Sequence, residues 1–249
     1  MFNLKGIFRF VQKDFVSGEL NLLLVSLVIS VAAVSTITLF SDRLQQALLI
    51  ESSSLLAADL AISSDEPIND REALPQVFSV PGLMTSRTAS FLTMMFFGEQ
   101  AQLVSVKAVD EAYPLRGVLL SGNKPFGDAE KARSVPRPGE IWLESRLFPS
   151  LDISIGRSVE IGSAALTVSK VLVRQPDNFG GFESAAPRVL INVADLDRTE
   201  VLQPGSRVNF RYLIAGDPKV IKKIQQDLNR DLPEPMRVIT PKNASETLG

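Results

Sequence analysis

The chain has 249 residues, a formal net charge of −2, 45% hydrophobic residues, no cysteine and no histidine, with a mean hydropathy of +0.14. These values exclude a disordered chain, a disulfide framework, a thiol nucleophile and a His- or Cys-ligated metal site. They also argue against nucleic acid as a partner, because its recognition needs concentrated Lys and Arg. What remains is a water-soluble body with a membrane segment attached, in which any catalysis would run on carboxylates, hydroxyls or lysine.

Residues 1–18 read as a cytoplasmic amphipathic leader. Leu4, Ile7, Phe8, Val11 and Phe15 recur at helical spacing while Lys5, Arg9 and Lys13 take other angles, the pattern of a short helix in the headgroup region of a lipid membrane. Residues 20–40 then run without a charge between Glu19 and Asp42. A helix of that length covers roughly 30 Å, the thickness of a hydrocarbon core, so 19–41 is expected to be a transmembrane helix; it exceeds the apolar stretch of a cleaved signal peptide. With Lys5, Arg9 and Lys13 ahead of the span, the positive-inside rule puts the N-terminus in the cytoplasm and the rest outside. The main domain is then periplasmic or extracellular.

Residues 42–58 keep a helical pattern, with Leu44, Ala47, Leu48 and Leu55 on one side, and are expected to form a helical stalk. A strand over 56–63 ends at Pro67. A helix over 71–80 stops at Pro81-Gly82. Residues 85–97 and 101–109, flanking Gly98-Glu99-Gln100, form a hairpin signal. Near the other end, 207–215 reads as a strand. Asp217-Pro218 starts a helix carrying Ile221, Ile224 and Leu228, and 236–240 is a closing strand. The fold class is therefore α+β. The transmembrane helix is followed by a ferredoxin-like, porter-like subdomain, discontinuous over 55–118 and 206–241, with one strand more than the simplest version needs. Between its halves, within 119–205, Pro136, Pro138 and Gly139 open short β-rich runs at 140–143, 158–161, 165–173 and 188–192, a small all-β insert.

Several motifs bear on chemistry. Gly122 to Gly127 has the spacing of the start of a P-loop, but Asp128-Ala129 stand where Lys and Ser or Thr are required, which argues against nucleotide binding. Asn243-Ala244-Ser245 is a bare glycosylation sequon. The serines at 52–54 and 63–64 sit near acids but have no His as base, and a Ser/Lys dyad would need a lysine that sequence spacing does not locate. No catalytic, cofactor-binding or metal-ligating residue is nominated. Met94, Met95, Phe96 and Phe97, following Phe91-Leu92, are the candidate hydrophobic contact. Alternate strand residues face opposite sides, so at most half of them enter one core face. The others are covered by the insert, a second subunit or a hydrophobic ligand. Phe179, Gly180, Gly181 and Phe182 are a surface turn or a mobile contact loop.

Six colinear blocks carry a family resemblance. LLAADLAISSDEP spans 55–67, LVSVKAVDEAYPLRG 103–117, PGEIWL 138–143, QPDNFGGF 175–182, APRVLIN 186–192 and QPGSRV 203–208. Together with the N-terminal span they resemble the N-terminal part of FtsX-like, MacB-type ABC transporter permeases, closest to the YbbP-like subfamily. The resemblance implies a non-enzymatic permease portion with further transmembrane helices, for which 242–249 would begin the connection. It implies a cognate cytosolic ABC ATPase, which binds the ATP and Mg, leaving this chain without a cofactor. It also implies an external domain that moves with ATP hydrolysis to export or extract a hydrophobic substrate or to control an envelope partner. YbbP-like members are similar to proteins often encoded beside a periplasmic esterase or thioesterase. The end at Gly249 reads as a fragment or a truncated reading frame. The alternative is a single-pass scaffold or regulatory protein without transport.

Overall fold

The computed structural model describes residues 19–68, 74–78, 80–177, 185–203 and 205–241. The expected leader 1–18, the loop Phe179 to Phe182, the segment 242–249 and part of the expected helix 71–80 lie outside the described residues. Two compact units are present, Met1–Ile50 and Glu51–Gly249.

The first unit is described through helix α1, Glu19–Leu56, whose C-terminal end belongs to the second. No Gly or Pro interrupts these 38 residues, so nothing in the sequence breaks the backbone hydrogen-bond ladder. The segment Leu24–Ser41 is long and apolar enough to cross a membrane, and its side chains are exposed rather than packed on protein. Three of its hydroxyls are satisfied within the helix: Ser30, Thr36 and Thr38 donate to the carbonyls of Ser26, Ala32 and Val34 at 2.7–2.8 Å.

In the second unit, β1 (Leu60–Ser64), β10 (Asn209–Ala215), β11 (Arg237–Ile239) and the first half of β2 (Met84–Phe97) pair antiparallel in the order β11-β1-β10-β2. The β1–β2 connection carries α2 (Pro75–Phe78) and the β10–β11 connection carries α4 (Pro218–Asp231), the order of a split βαβ layer. Asp217 caps α4 by accepting from the Lys219 N–H at 2.8 Å, and Pro218 opens its first turn. Ile221, Ile224 and Leu228 then pack on Leu60, Ile62, Tyr212 and Ile214.

The remaining strands extend the same sheet. β2 pairs with β3 (Gln100–Val109), β3 runs parallel to β9 (Arg188–Asn192), and β9 pairs with β6 (Glu140–Glu144). β6 runs parallel to β8 (Ala164–Arg174), β8 pairs with β7 (Ser158–Ile161), and β7 returns to β2 through Met95↔Ile161 and Phe96↔Glu160. That last pairing closes a six-stranded ring, and closure leaves none of its six strands an open edge along the ring. Phe91, Met95, Val104, Val106, Ile141, Leu143, Val159, Ile161, Leu166, Val168, Val189 and Ile191 fill its interior. The ring needs Gly162, with φ +55°, because a Cβ there would lie 2.0 Å from the Thr199 carbonyl oxygen. Outside it, β4 (Leu120–Gly122) and β5 (Glu130–Lys131) form a short hairpin on β8, and α3 (Leu147–Ser150) follows β6.

Some boundaries differ from the sequence reading. The first strand begins at Leu60 rather than 56, because Leu56 closes α1 and Ala57, at φ +57°, turns the chain out of the helix. A short apolar run such as 55–58 satisfies a helix end and a strand equally well. Only one turn, Pro75–Phe78, is helical among the described residues of 71–80.

Candidate functional site

The hairpin β2–β3 turns at Gly98-Glu99, which pairs Phe97 with Gln100, Met95 with Gln102 and Met94 with Leu103. Alternation then splits the four candidate residues. Met95 is fully buried in the ring, and Phe97 packs partly against that core with the Arg157 guanidinium 5.7 Å from its ring centroid. Met94 and Phe96 point the other way, 39% and 41% exposed, and Leu103 opposite Met94 is 40% exposed. The contact candidate therefore becomes an outer row of Met94, Phe96 and Leu103, with Leu92 beside it on the same face. Leu103 escapes a composition scan, yet its place opposite Met94 can be counted from the two-residue turn.

The six motif blocks carry fasteners instead of reactive groups. The Asp59 carboxylate accepts from Arg116 Nε at 3.0 Å and Nη2 at 2.7 Å, and from the Gly216 N–H at 3.0 Å. The Arg116 N–H donates to the Ala57 carbonyl at 2.9 Å, so the segment after Asp110 binds the junction where Leu56, Ala57 and Ala58 are wholly buried. Asp110 accepts from Ser86 Oγ at 2.6 Å and from the N–H groups of Arg87 and Ala112.

Asp177, from the QPDNFGGF block, is buried and accepts from both the Lys107 ammonium and the Tyr113 hydroxyl. The Lys107 ammonium also lies 5.6 Å from the Tyr113 ring centroid. Desolvation, then the charge of Asp177 and the hydrogen bond to it, raise the Tyr113 pKa well above its ordinary value, so the phenol stays a neutral donor.

At the ring's rim, Glu144 accepts from the Arg188 N–H at 2.8 Å and from its Nε at 3.1 Å, with Arg146 Nε 3.2 Å away. Burial pushes the Glu144 pKa up, but the Arg188 hydrogen bonds and the charges of Arg188 and Arg146 outweigh it and hold it below the ordinary value. Asp195 accepts from the Gly139 N–H at 2.7 Å, and Asn192 donates to the Pro136 carbonyl at 2.9 Å.

Such groups fix loops and junctions; none pairs a nucleophile with a base. Among the described residues, no cluster of three or more acidic side chains could hold a metal ion. Residues Gly122 to Gly127 lie in the β4–β5 hairpin and do not open a helix, so the geometry of a P-loop is not formed there.

The profile of the MacB-like periplasmic core domain matches residues 22–231. An uncharacterized ABC transporter permease, YbbP of Escherichia coli (strain K12), is 32% identical over 212 residues. That alignment takes in 85% of this chain and 25% of YbbP, so the chain spans about a quarter of its curated relative. Among solved structures, the periplasmic region of MacB from Actinobacillus actinomycetemcomitans aligns with a TM-score of 0.48 at 11% identity, over 78% of this chain and 94% of that one. The extracellular domain of the noncanonic ABC-type transporter YknZ from Gram-positive bacteria aligns with a TM-score of 0.46 at 12% identity, over 73% and 100%. The chain, matched by that family model over most of its length, belongs to the family of the MacB-like periplasmic core domain.

Proposed function

We propose that this chain is the N-terminal part of an ABC transporter permease in the bacterial inner membrane, with its N-terminus cytoplasmic and its body periplasmic. ATP and Mg are handled by a separate cytosolic ATPase, and this chain supplies no catalytic group. Its body uses ATP-driven movement to extract or export a hydrophobic substrate or to control an envelope partner. A periplasmic esterase or thioesterase is one partner that would act on such a substrate once it is drawn from the membrane.

The observation that carries this reading is the outer row of Met94, Phe96 and Leu103 on the β2–β3 hairpin. Contiguous exposed apolar side chains on a soluble body mark a contact surface, and methionine adapts to irregular apolar partners. Here they stand on a hairpin whose other face is locked into the ring by Phe91 and Met95, so the surface is presented without loss of loop entropy. Covering each remaining exposed area is worth about 1 kcal/mol.

The test is Phe96→Ser with Leu103→Ser in the full permease–ATPase complex, reconstituted in vesicles with a fluorescent acyl lipid as cargo. Loss of about 2 kcal/mol of contact predicts an apparent affinity roughly 30-fold weaker with basal ATP hydrolysis retained. Unaltered extraction would remove the outer row from the transport surface.

A further inference from the structure

The β4–β5 hairpin and the neighbouring edge of β8 enclose a concavity of about 440 Å³ that plays no part in the reading above. Its walls carry Lys124, Lys131, Arg133 and Lys170, with Asp128 and Glu130 on the acidic side. Among the described residues, none of the four cations is held in an ion pair by a carboxylate. Four positive groups against two negative ones leave the lining two charges positive.

Two local features shape this concavity. Gly122 is required where the loop closes on itself, since a Cβ there would lie 2.9 Å from the Asp128 carbonyl oxygen. The register between β6 and β8 shifts by one residue between Ile141 and Trp142, leaving Ser169 as the extra residue of β8. A bulge re-aims the side chain that follows it. That side chain is Lys170, which lines the concavity with its ammonium 5.1 Å from the Trp142 ring centroid. The indole beneath it is 1% exposed, and its Nε1 has no hydrogen-bond partner.

We propose that this concavity binds a dianionic phosphate, either free inorganic phosphate or the monoester headgroup of a lipid. Charge matching selects the class: a dianion neutralises the lining, whereas a carboxylate or phosphodiester leaves it positive. Three lysines act as point charges, and Arg133 adds a planar fork suited to phosphate oxygens. The site takes no nucleotide cradle from Gly122 to Gly127; it uses that loop only as one wall.

Trp142 is the single tryptophan of the chain, so its emission reports on the Lys170 ammonium held over it. The experiment titrates the full chain, in uncharged detergent at low ionic strength, with inorganic phosphate, with dihexanoyl phosphatidic acid below its critical micelle concentration, and with sodium chloride. Saturable emission changes with phosphate or the short lipid, and none with chloride, are expected. A lipid affinity tenfold above that of inorganic phosphate identifies a headgroup site; equal affinities identify free phosphate. The double variant Lys131→Gln/Arg133→Gln, both positions exposed, should weaken binding at least tenfold with an unchanged melting temperature. Absence of saturation with either phosphate, an equal response to chloride, or a double variant that binds like the parent would each overturn the proposal.

Discussion

Replacing Met95 by Ala and, separately, Met94 by Ala sets adjacent residues of one strand against each other. Met95 is fully buried inside the ring and pairs with Ile161 at the β2–β7 junction, where the two strands share only the pairs Met95↔Ile161 and Phe96↔Glu160. Truncation there leaves a cavity that the closed ring cannot collapse, at a cost of about 3 kcal/mol within the usual range for Met→Ala in a core. For a body of about 200 residues each kcal/mol moves the melting temperature by about 2–4 °C, so Met95→Ala should melt roughly 6–12 °C lower. Met94 is 39% exposed on the outer face, and its loss should cost under about 1 kcal/mol, a shift of no more than about 4 °C. The assay is thermal unfolding of the chain in uncharged detergent, followed by Trp142 emission, since that indole passes from burial to solvent as the body opens. Equal shifts for the two variants, or a larger one for Met94→Ala, would refute both the inward–outward assignment and the outer row built on it.

Asp177→Ala removes the carboxylate shared by Lys107 and Tyr113 inside the body, and should destabilise by about 3–5 kcal/mol, measured by denaturant unfolding; a cost below about 1 kcal/mol would contradict the burial of this pair. The lowered Glu144 pKa contributes stability that is fully present above the ordinary glutamate value and is lost as pH falls through the depressed native value. The parent chain should therefore lose melting temperature more steeply than Glu144→Gln across that acid window, and parallel profiles would contradict the role given to Arg188. The chain has no cysteine, so Glu99→Cys, at the exposed hairpin turn, places a single thiol on the body. A membrane-impermeant maleimide should label it in a bacterium whose outer membrane has been permeabilised, and labelling only after lysis of the inner membrane would reverse the orientation.

Local signals were legible wherever one element decides its own structure. The hairpin β2–β3 follows from alternation around Gly98-Glu99, and α4 from the Asp217 cap, Pro218 and the spacing of Ile221, Ile224 and Leu228. The short runs at 140–143, 158–161, 165–173 and 188–192 are strands within a residue of those bounds. Closure of the ring was not legible. The parallel pairs β3–β9 and β6–β8 and the β7–β2 junction join residues far apart in sequence, and such pairing leaves no mark on either strand alone. The sequence reading also has no strand at Leu120–Gly122 or Glu130–Lys131, which are too short to show alternation. Of the candidate site, the apolar cluster was visible, while its division into Met95 and Phe97 inside and Met94, Phe96 and Leu103 outside required the register. The fasteners Asp59–Arg116 and Lys107–Asp177 were hidden inside motif blocks, because an ion pair between residues 57 or 70 positions apart has no spacing signature.

In the proposed permease, driven by a separate ATPase, the membrane span and the body act together. Helix α1 is unbroken from Glu19 to Leu56, the residue at which the body's buried core begins, and Gln46 lies within it. Proline at that position removes a backbone donor and clashes with the preceding turn, at roughly 3 kcal/mol, and so introduces a break that would absorb motion carried along the helix. The decisive measurement is transport per ATP hydrolysed by the reconstituted full-length permease–ATPase complex carrying Gln46→Pro, after its assembly with the ATPase is confirmed. Hydrolysis that continues while transport per ATP falls at least severalfold is the predicted result; unchanged transport per ATP would contradict coupling through this helix and leave the body a passive partner-binding module.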